Sequence, residues 1–190
     1  MKPARFGLTT RVLHWLMAGL IVSMLLIGAG MTTSLRHRPW LFDTHVTLGL
    51  AILALAGMRL ASRLRGPVPE LPGSLPRWQA MAARASHGVL YLLMFLQPLV
   101  GWASLSAGGY PSATIAGHAL RAPISADPWL YTQLRNAHEM LGYAFLAVIL
   151  LHIAAALLHA LVLRDGVFGQ IALTIGRRSP AKRRTETRAD

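Results

Sequence analysis

Apolar residues in this chain are collected into four long runs, separated by shorter polar or proline-rich segments. A helix needs about 20 mainly apolar residues to cross the hydrocarbon core of a bilayer. Each run reaches that length, and its charged residues lie only near its ends. The pattern therefore predicts an all-α protein, a four-helix transmembrane bundle. The predicted spans are approximately Leu8–Met31, Thr44–Leu64, Ala85–Ala107 and Asn136–Leu163.

Three connections join these spans. Thr32–Asp43 is a short outer loop, and Gly108–Arg135 is an outer loop long enough to cap a site as well as to turn the chain. The inner loop, Arg65–Arg84, is rich in proline. Residues 177–190 are polar and basic, so we expect a disordered cytoplasmic tail after a membrane domain of residues 1–176.

The first apolar run follows basic residues, as the apolar part of a signal peptide would. It is too long for that role, and no clear small-residue cleavage site follows it. We therefore interpret it as a retained span.

Lysine and arginine residues are distributed unequally between the two sides that the spans define. The side with both termini holds 15 of them and the other side holds 4. Because short loops rich in these residues stay in the cytoplasm, both termini are predicted to be cytoplasmic. The basic residues of the outer side are Arg36, Arg38, Arg121 and Arg135.

The composition narrows the possible chemistry. Of the 190 residues, 54% are hydrophobic and 14% are charged, whereas a soluble domain is typically about 25% charged. The chain has no cysteine, which excludes disulfides, iron–sulfur clusters, thiol catalysis and haem attached through cysteine. The net charge of +12 comes from basic residues at the membrane borders, so nucleic-acid binding is not expected.

Histidine is the main candidate for a functional residue. Six of the eight histidines lie in predicted spans, where ionisable residues are costly and usually mark function. A hydrogen bond to a neighbouring helix could hold any one of them, but six would each need a separate partner. Ligation of a metal or haem explains them together. The six are His14, His45, His87, His138, His152 and His159.

The spacing in the fourth span favours two haems. His138 and His152 are 14 residues apart, close to four turns, so they share a face and lie about 21 Å apart along the axis. This distance suits one haem near each membrane surface. His45 lies at the depth of His138, and His14 lies broadly at the depth of His152. The predicted iron ligands are therefore the pairs His45–His138 and His14–His152.

Small residues beside these four histidines support the choice. A porphyrin is flat, so it needs room on the ligand's face, most simply four positions farther along the helix. Alanine or glycine occupies that position after each proposed ligand, whereas Tyr91 follows His87 and Leu163 follows His159. The small residues are Ala18, Gly49, Gly142 and Ala156.

His87 and His159 lie toward the inner side, and their roles remain open. Imidazole donates, accepts and titrates near neutral pH, so both could act as catalytic groups that bind a quinone carbonyl and relay its protons. They could equally form hydrogen bonds that support residues next to the inner haem. Either could also replace His14 or His152 at the inner iron.

The order and spacing of these motifs resemble the bacterial cytochrome b561 family, four-helix diheme proteins that include superoxide oxidase. The resemblance covers about residues 5–175. Its motifs are His14-Trp15-Leu16, His45-Val46-x-x-Gly49, Arg59, His87-x-x-x-Tyr91-Leu92-Leu93, and His138-Glu139-x-x-x-x-Tyr143 followed by His152 and His159.

The resemblance implies two haem b groups in a bacterial inner membrane, with His14, His45, His138 and His152 as axial ligands. It also implies a ubiquinone pocket at His87 and His159. Arg77 and Trp78, in the inner loop, are further candidates for cofactor binding at that pocket.

The implied activity is that of an oxidoreductase. Electrons from an outer-side donor, with superoxide favoured, would pass through the outer and inner haems to ubiquinone. Bis-histidine ligation favours electron transfer over oxygen binding. The outer arginines could attract an anion such as superoxide, or they could pair with haem propionates or remain solvated.

Two alternatives are open. The chain could be a membrane-anchor cytochrome for a partner oxidoreductase, such as a hydrogenase or dehydrogenase. It could also be a haem-free channel or transporter, but that reading leaves the 14-residue spacing unexplained.

Overall fold

The structure is a computed structural model that describes residues 5–66, 69, 76–110, 114–115, 118–119 and 122–173, with only the backbone described at 114–115 and 118–119. The predicted tail, residues 177–190, lies outside the described residues, as does Arg121.

The described residues form four long helices, and each is long and apolar enough to cross a membrane. The all-α four-helix transmembrane fold predicted from the apolar runs is confirmed. The helices are α1 (Leu8–Thr33), α2 (Arg38–Arg65), α3 (Arg77–Ala107) and α4 (Pro128–Leu157). α4 continues as a π-helix over Leu158–Leu163, and the two-residue strands β1 (Thr114–Ile115) and β2 (His118–Ala119) pair antiparallel between α3 and α4.

α4 begins at Pro128, so the prediction of an outer loop reaching Arg135 is wrong. The Asp127 side chain accepts hydrogen bonds from the backbone N–H groups of Trp129 and Leu130 at 2.9 and 3.0 Å. These bonds cap the helix, and the fixed φ of Pro128 suits its first position. The first turns of α4 mix apolar and polar residues and include Arg135, so the apolar runs alone predicted a later start.

The helices pack unevenly around a shared core. α1 packs along α2, α3 packs along α4, and α2 also contacts α3, whereas the backbone of α4 comes much less close to α1 and α2. The interfaces between α4 and the first two helices are therefore among the wider ones of the bundle. All four helices contribute to the buried core, which contains Met17, Ala56, Leu93, Met94 and Phe145.

We call the end of the bundle with the start of α1 and the end of α4 the inner end, following the predicted orientation, and the opposite end the outer end. Aromatic rings close the outer end: the ring centroids of Tyr110 and Tyr131 are 5.7 Å apart, and those of Tyr110 and Phe42 are 6.2 Å apart. A Cβ at Gly108 would lie 2.6 Å from Cδ2 of Tyr110. Glycine is therefore required for this close approach.

At the inner end the chain turns back onto α1 after the π-helix. We call residues 164–173 the inner strap. Arg11 donates a hydrogen bond to the backbone oxygen of Ala172 at 2.9 Å, and the Trp15 indole donates one to that of Ile171 at 3.1 Å. These bonds hold the strap beneath the inner half of the bundle.

Candidate functional site

The structure brings the imidazole rings of His45 of α2 and His138 of α4 close together near the outer end. Their ring centroids are 5.9 Å apart, with 77° between the ring planes. A ligating imidazole nitrogen lies about 2 Å from a first-row metal ion and the ring centroid about 1 Å farther, so two imidazoles on opposite sides of one ion have centroids about 6 Å apart. The observed separation fits one iron between the two rings.

Gln97 of α3 holds His138 through two hydrogen bonds. The Nδ1 atom of His138 lies 3.1 Å from the backbone oxygen of Gln97. Because a carbonyl oxygen only accepts, Nδ1 is the donor, and the lone pair of Nε2 is left for a metal ion. The Nε2 amide of Gln97 donates to the backbone oxygen of His138 at 2.8 Å. α3 thus fixes both the tautomer and the position of this histidine.

Glycines on neighbouring helices make room for the outer pair. A Cβ at Gly101 of α3 would lie 2.9 Å from Cε1 of His138, and a Cβ at Gly28 of α1 would lie 3.7 Å from Cε1 of His45. Each imidazole therefore lies against a glycine backbone. The sequence contains both glycines, but only the pairing of the helices shows that they face the histidines.

The side chain of Gln97 lies against Gly142, where the sequence predicted space for a porphyrin. A Cβ there would lie 3.1 Å from the Nε2 amide of Gln97. Gly142 therefore lets this amide reach the backbone oxygen of His138.

Three histidines from three helices come close together in the inner half of the bundle. His14 of α1 and His152 of α4 have ring centroids 6.4 Å apart, and His87 of α3 lies 5.5 Å from His152. Both separations are close to the value for two ligands of one ion. The arrangement thus accommodates His14 or His87 opposite His152. The predicted alternatives for this iron, with His87 or His159 in place of His14 or His152, stay open.

Packed side chains separate the two histidine clusters. Phe145 lies seven residues from both His138 and His152, so it is two turns, or about 10 Å, from each and on nearly the same face of α4. Its side chain is buried in the core. The clusters are therefore distinct sites at different depths.

His159 lies in the π-helix and pairs with Asp165 of the inner strap. Its Nδ1 is 2.6 Å from Oδ2 of Asp165, and Oδ1 of Asp165 accepts from the backbone N–H of Val167 at 3.1 Å. Burial raises the pKa of Asp165, but these hydrogen bonds outweigh it and hold the pKa below its ordinary value. The carboxylate accepts from Nδ1–H, which leaves the Nε2 of His159 free to exchange a proton.

A recess of about 220 Å³ opens beside His159. It is lined by His159, Ala160, Arg164, Gly166, Phe168 and Gly169. Sequence reasoning missed Asp165 behind this recess. The available signal was its rarity, since the chain has only 7 acidic residues and this one follows the end of the last span.

The remaining predicted residues lie at the surface. Arg77 and Trp78 begin α3 at the inner end with exposed side chains. Arg36, Arg38 and Arg135 are exposed at the outer end. None of these positions excludes the roles predicted for them.

Comparison with known proteins gives consistent matches along almost the whole chain. The family model described as prokaryotic cytochrome b561 matches residues 5–171. The probable superoxide oxidase CybB of Yersinia pestis is 33% identical over 178 residues, which cover 90% of this chain and 93% of that protein. Cytochrome b561 homolog 2 of Escherichia coli strain K12 is 28% identical, and the match covers 86% of this chain and 88% of that protein. Cytochrome b562 of Cereibacter sphaeroides is 29% identical, and the match covers 80% of this chain and 85% of that protein.

Proposed function

The chain belongs to the prokaryotic cytochrome b561 family, and from this premise we propose that it is a diheme oxidoreductase that transfers electrons from superoxide to ubiquinone. Proteins of this family bind haem b and transfer electrons in membranes. The four spans make this chain a multi-pass bacterial membrane protein. The proposal adds the number of haems, the inner membrane, the donor and the acceptor.

Two histidine clusters at different depths are the observation that supports two haems. The outer ligands are His45 and His138, across the wide interface between α2 and α4. The inner ligands are His14 and His152, across the interface between α1 and α4, with His87 as the alternative to His14. The haems, when bound between these histidines, would supply one-electron transfer.

The recess beside His159 is the proposed ubiquinone site. Its volume of about 220 Å³ suits the quinone ring better than the whole molecule, whose tail would extend into lipid. His159, oriented by Asp165, would give a proton from Nε2 to a quinone carbonyl. His87 is the second catalytic candidate, and Arg77 and Trp78 are candidates for contacts because α3 begins at the same end of the bundle.

The proposed reaction balances with the groups named here. Two superoxide anions each lose one electron and become dioxygen. Ubiquinone takes up these two electrons and two protons and becomes ubiquinol. The protons come from the inner side, where His159 and Asp165 lie, and the electrons come from the outer side.

Positive charge at the outer end supports superoxide as the donor. Arg38 and Arg135 lie close enough to Tyr131 to interact with it electrostatically, so they flank the aromatic group that closes this end. A cationic surface raises the local concentration of an anion and its rate of encounter. The match to a probable superoxide oxidase at 33% identity supports the same donor.

The test uses purified protein with an enzymatic source of superoxide. We expect the haem absorption to change from the oxidised to the reduced form, and ubiquinone to reverse the change with ubiquinol as product. Added superoxide dismutase should abolish the reduction. A protein reduced neither by superoxide nor by ubiquinol would contradict the proposal, and copurification of a stoichiometric partner enzyme would then favour the membrane-anchor function.

A further inference from the structure

Two hydrogen-bonding groups beside the inner histidine cluster are buried without a partner among the described residues. They are the Nη1 atom of Arg59 and the phenolic oxygen of Tyr91. The Cζ atom of Arg59 lies 6.0 Å from the centroid of the Tyr91 ring. The two groups are therefore close enough to act on one ligand.

Their position is set by the helix repeat. Arg59 follows His45 on α2 by 14 residues, the same spacing that separates the two ligand histidines of α4. It therefore lies on nearly the same face as His45, about 21 Å deeper. At that depth it is close enough to interact electrostatically with His14, His87 and His152. α2 thus offers a ligand to the outer site and a cation to the inner site.

A guanidinium group keeps its charge in proteins, and a charged group within a span is costly unless it is paired. In the part of the chain that the structure describes, no carboxylate forms an ion pair with Arg59, and Asp165 is already paired with His159. A buried donor of this kind without an acceptor points to an anion supplied by a bound group.

We propose that Arg59 and Tyr91 bind a propionate carboxylate of the inner haem. The proposal rests on the haem assigned above to His14 and His152. The planar fork of arginine matches a carboxylate with two parallel hydrogen bonds, and the tyrosine hydroxyl adds a third donor. Haem b carries two propionates, so one carboxylate would neutralise Arg59 and satisfy both buried groups.

This contact also sets a direction for the electron. A positive charge beside a haem favours the reduced form, which carries one more negative charge than the oxidised form. Arg59 would therefore raise the midpoint potential of the inner haem and favour electron transfer toward it. Removing the charge should lower that potential and leave the outer haem unchanged, because the outer pair lies about 21 Å away along the axis.

The test compares Arg59→Gln and Tyr91→Phe with the unmodified protein in a spectroscopic redox titration, after the haem content of each has been measured. With two haems bound, we expect Arg59→Gln to lower one midpoint by about 59 mV, a tenfold change in the ratio of reduced to oxidised form for a one-electron couple. The other midpoint should stay constant. Tyr91→Phe should move the same midpoint in the same direction by less.

Matched controls separate this contact from general effects of charge and shape. Arg63→Gln removes a cation one turn farther along α2 that lies 5.2 Å from the Phe6 ring and also interacts electrostatically with His87. It makes no contact with Tyr91 that the proposal requires, so it should change the potential less than Arg59→Gln. Tyr143→Phe removes an exposed hydroxyl and should change neither midpoint. If Arg59→Gln loses one haem, Arg59→Lys, which keeps the charge, should restore it.

Unchanged midpoints in Arg59→Gln with both haems bound would overturn the proposal, as would an equal shift in Arg63→Gln. A higher KM for ubiquinone with unchanged midpoints would assign Arg59 to the quinone and would overturn it as well. An unmodified protein with fewer than two haems would instead reject the proposed function, so the two failures are distinct.

Discussion

The substitution Gly101→Ala tests how the outer ligand is held. The added Cβ would lie 2.9 Å from Cε1 of His138 and 3.2 Å from its Nδ1. A Cβ atom and a non-bonded heavy atom do not approach each other to less than 3.0 Å in proteins. The imidazole of His138 must therefore shift. The shift would stretch the 3.1 Å hydrogen bond between Nδ1 and the backbone oxygen of Gln97, and it would move Nε2 away from the iron.

The magnitude follows from the loss of this bond. A buried hydrogen bond contributes about 1 kcal/mol net, and an unsatisfied donor costs about 1–3 kcal/mol. Since 1.4 kcal/mol is a factor of ten in affinity, the outer haem should bind about ten times more weakly. Helix propensity alone would make the variant more stable, because alanine is about 1 kcal/mol more favourable than glycine inside a helix. Weaker haem binding would therefore reflect the displaced imidazole and not a weaker helix.

The assay is the rate at which the variant loses haem to an excess of apomyoglobin, followed by absorption. We expect one haem to leave faster and the other to leave at the rate found in the unmodified protein. Gly57→Ala is the matched control, because a Cβ there meets nothing within 4 Å. Equal haem retention in Gly101→Ala and Gly57→Ala would refute the reasoning.

Three further predictions concern the inner strap and the core. Asp165→Asn should slow ubiquinone reduction at least tenfold at unchanged haem content, because it weakens the charge-assisted hydrogen bond that orients His159. Steady-state kinetics of Asp165→Asn and Asp165→Glu check this, and full activity in Asp165→Asn would exclude the role. The lowered pKa of Asp165 means that its contribution to stability is fully present above about pH 4 and lost as pH falls through the lowered pKa. Thermal midpoints against pH should therefore converge for the unmodified protein and Asp165→Asn at low pH, and a constant difference would contradict this. Phe145→Ala should destabilise the bundle by about 3 kcal/mol, measured as a lower unfolding midpoint in detergent, whereas an unchanged midpoint would argue against a packed barrier between the sites.

The apolar runs predicted the fold because lipid imposes a simple rule on composition. The rule does not define where a helix begins, because the start is set by side chains that accept hydrogen bonds from the first backbone N–H groups. Asp127 and Pro128 together form a helix start, yet the mixture of apolar and polar residues after them does not form a continuous apolar run. The spacing of His138 and His152 predicted sites at two depths because a straight α-helix fixes both rotation and rise.

The rest of the candidate site depended on contacts between helices. Gly142 has the small size that the sequence reading required, but the neighbouring Gln97 decides how the space is used. The pairing of His159 with Asp165, six residues apart, is not a spacing that an α-helix brings together. It forms because the last turns are a π-helix and Arg164 adopts a left-handed conformation with φ +49°.

The most direct test of the account is the number of haems per chain, measured from the pyridine haemochrome and the protein concentration. We expect two in the unmodified protein and in His37→Ala, where the altered histidine lies outside the four helices. We expect His138→Ala to lose one haem and His152→Ala to lose the other. A single haem or none in the unmodified protein, or two haems in His138→Ala, would contradict it.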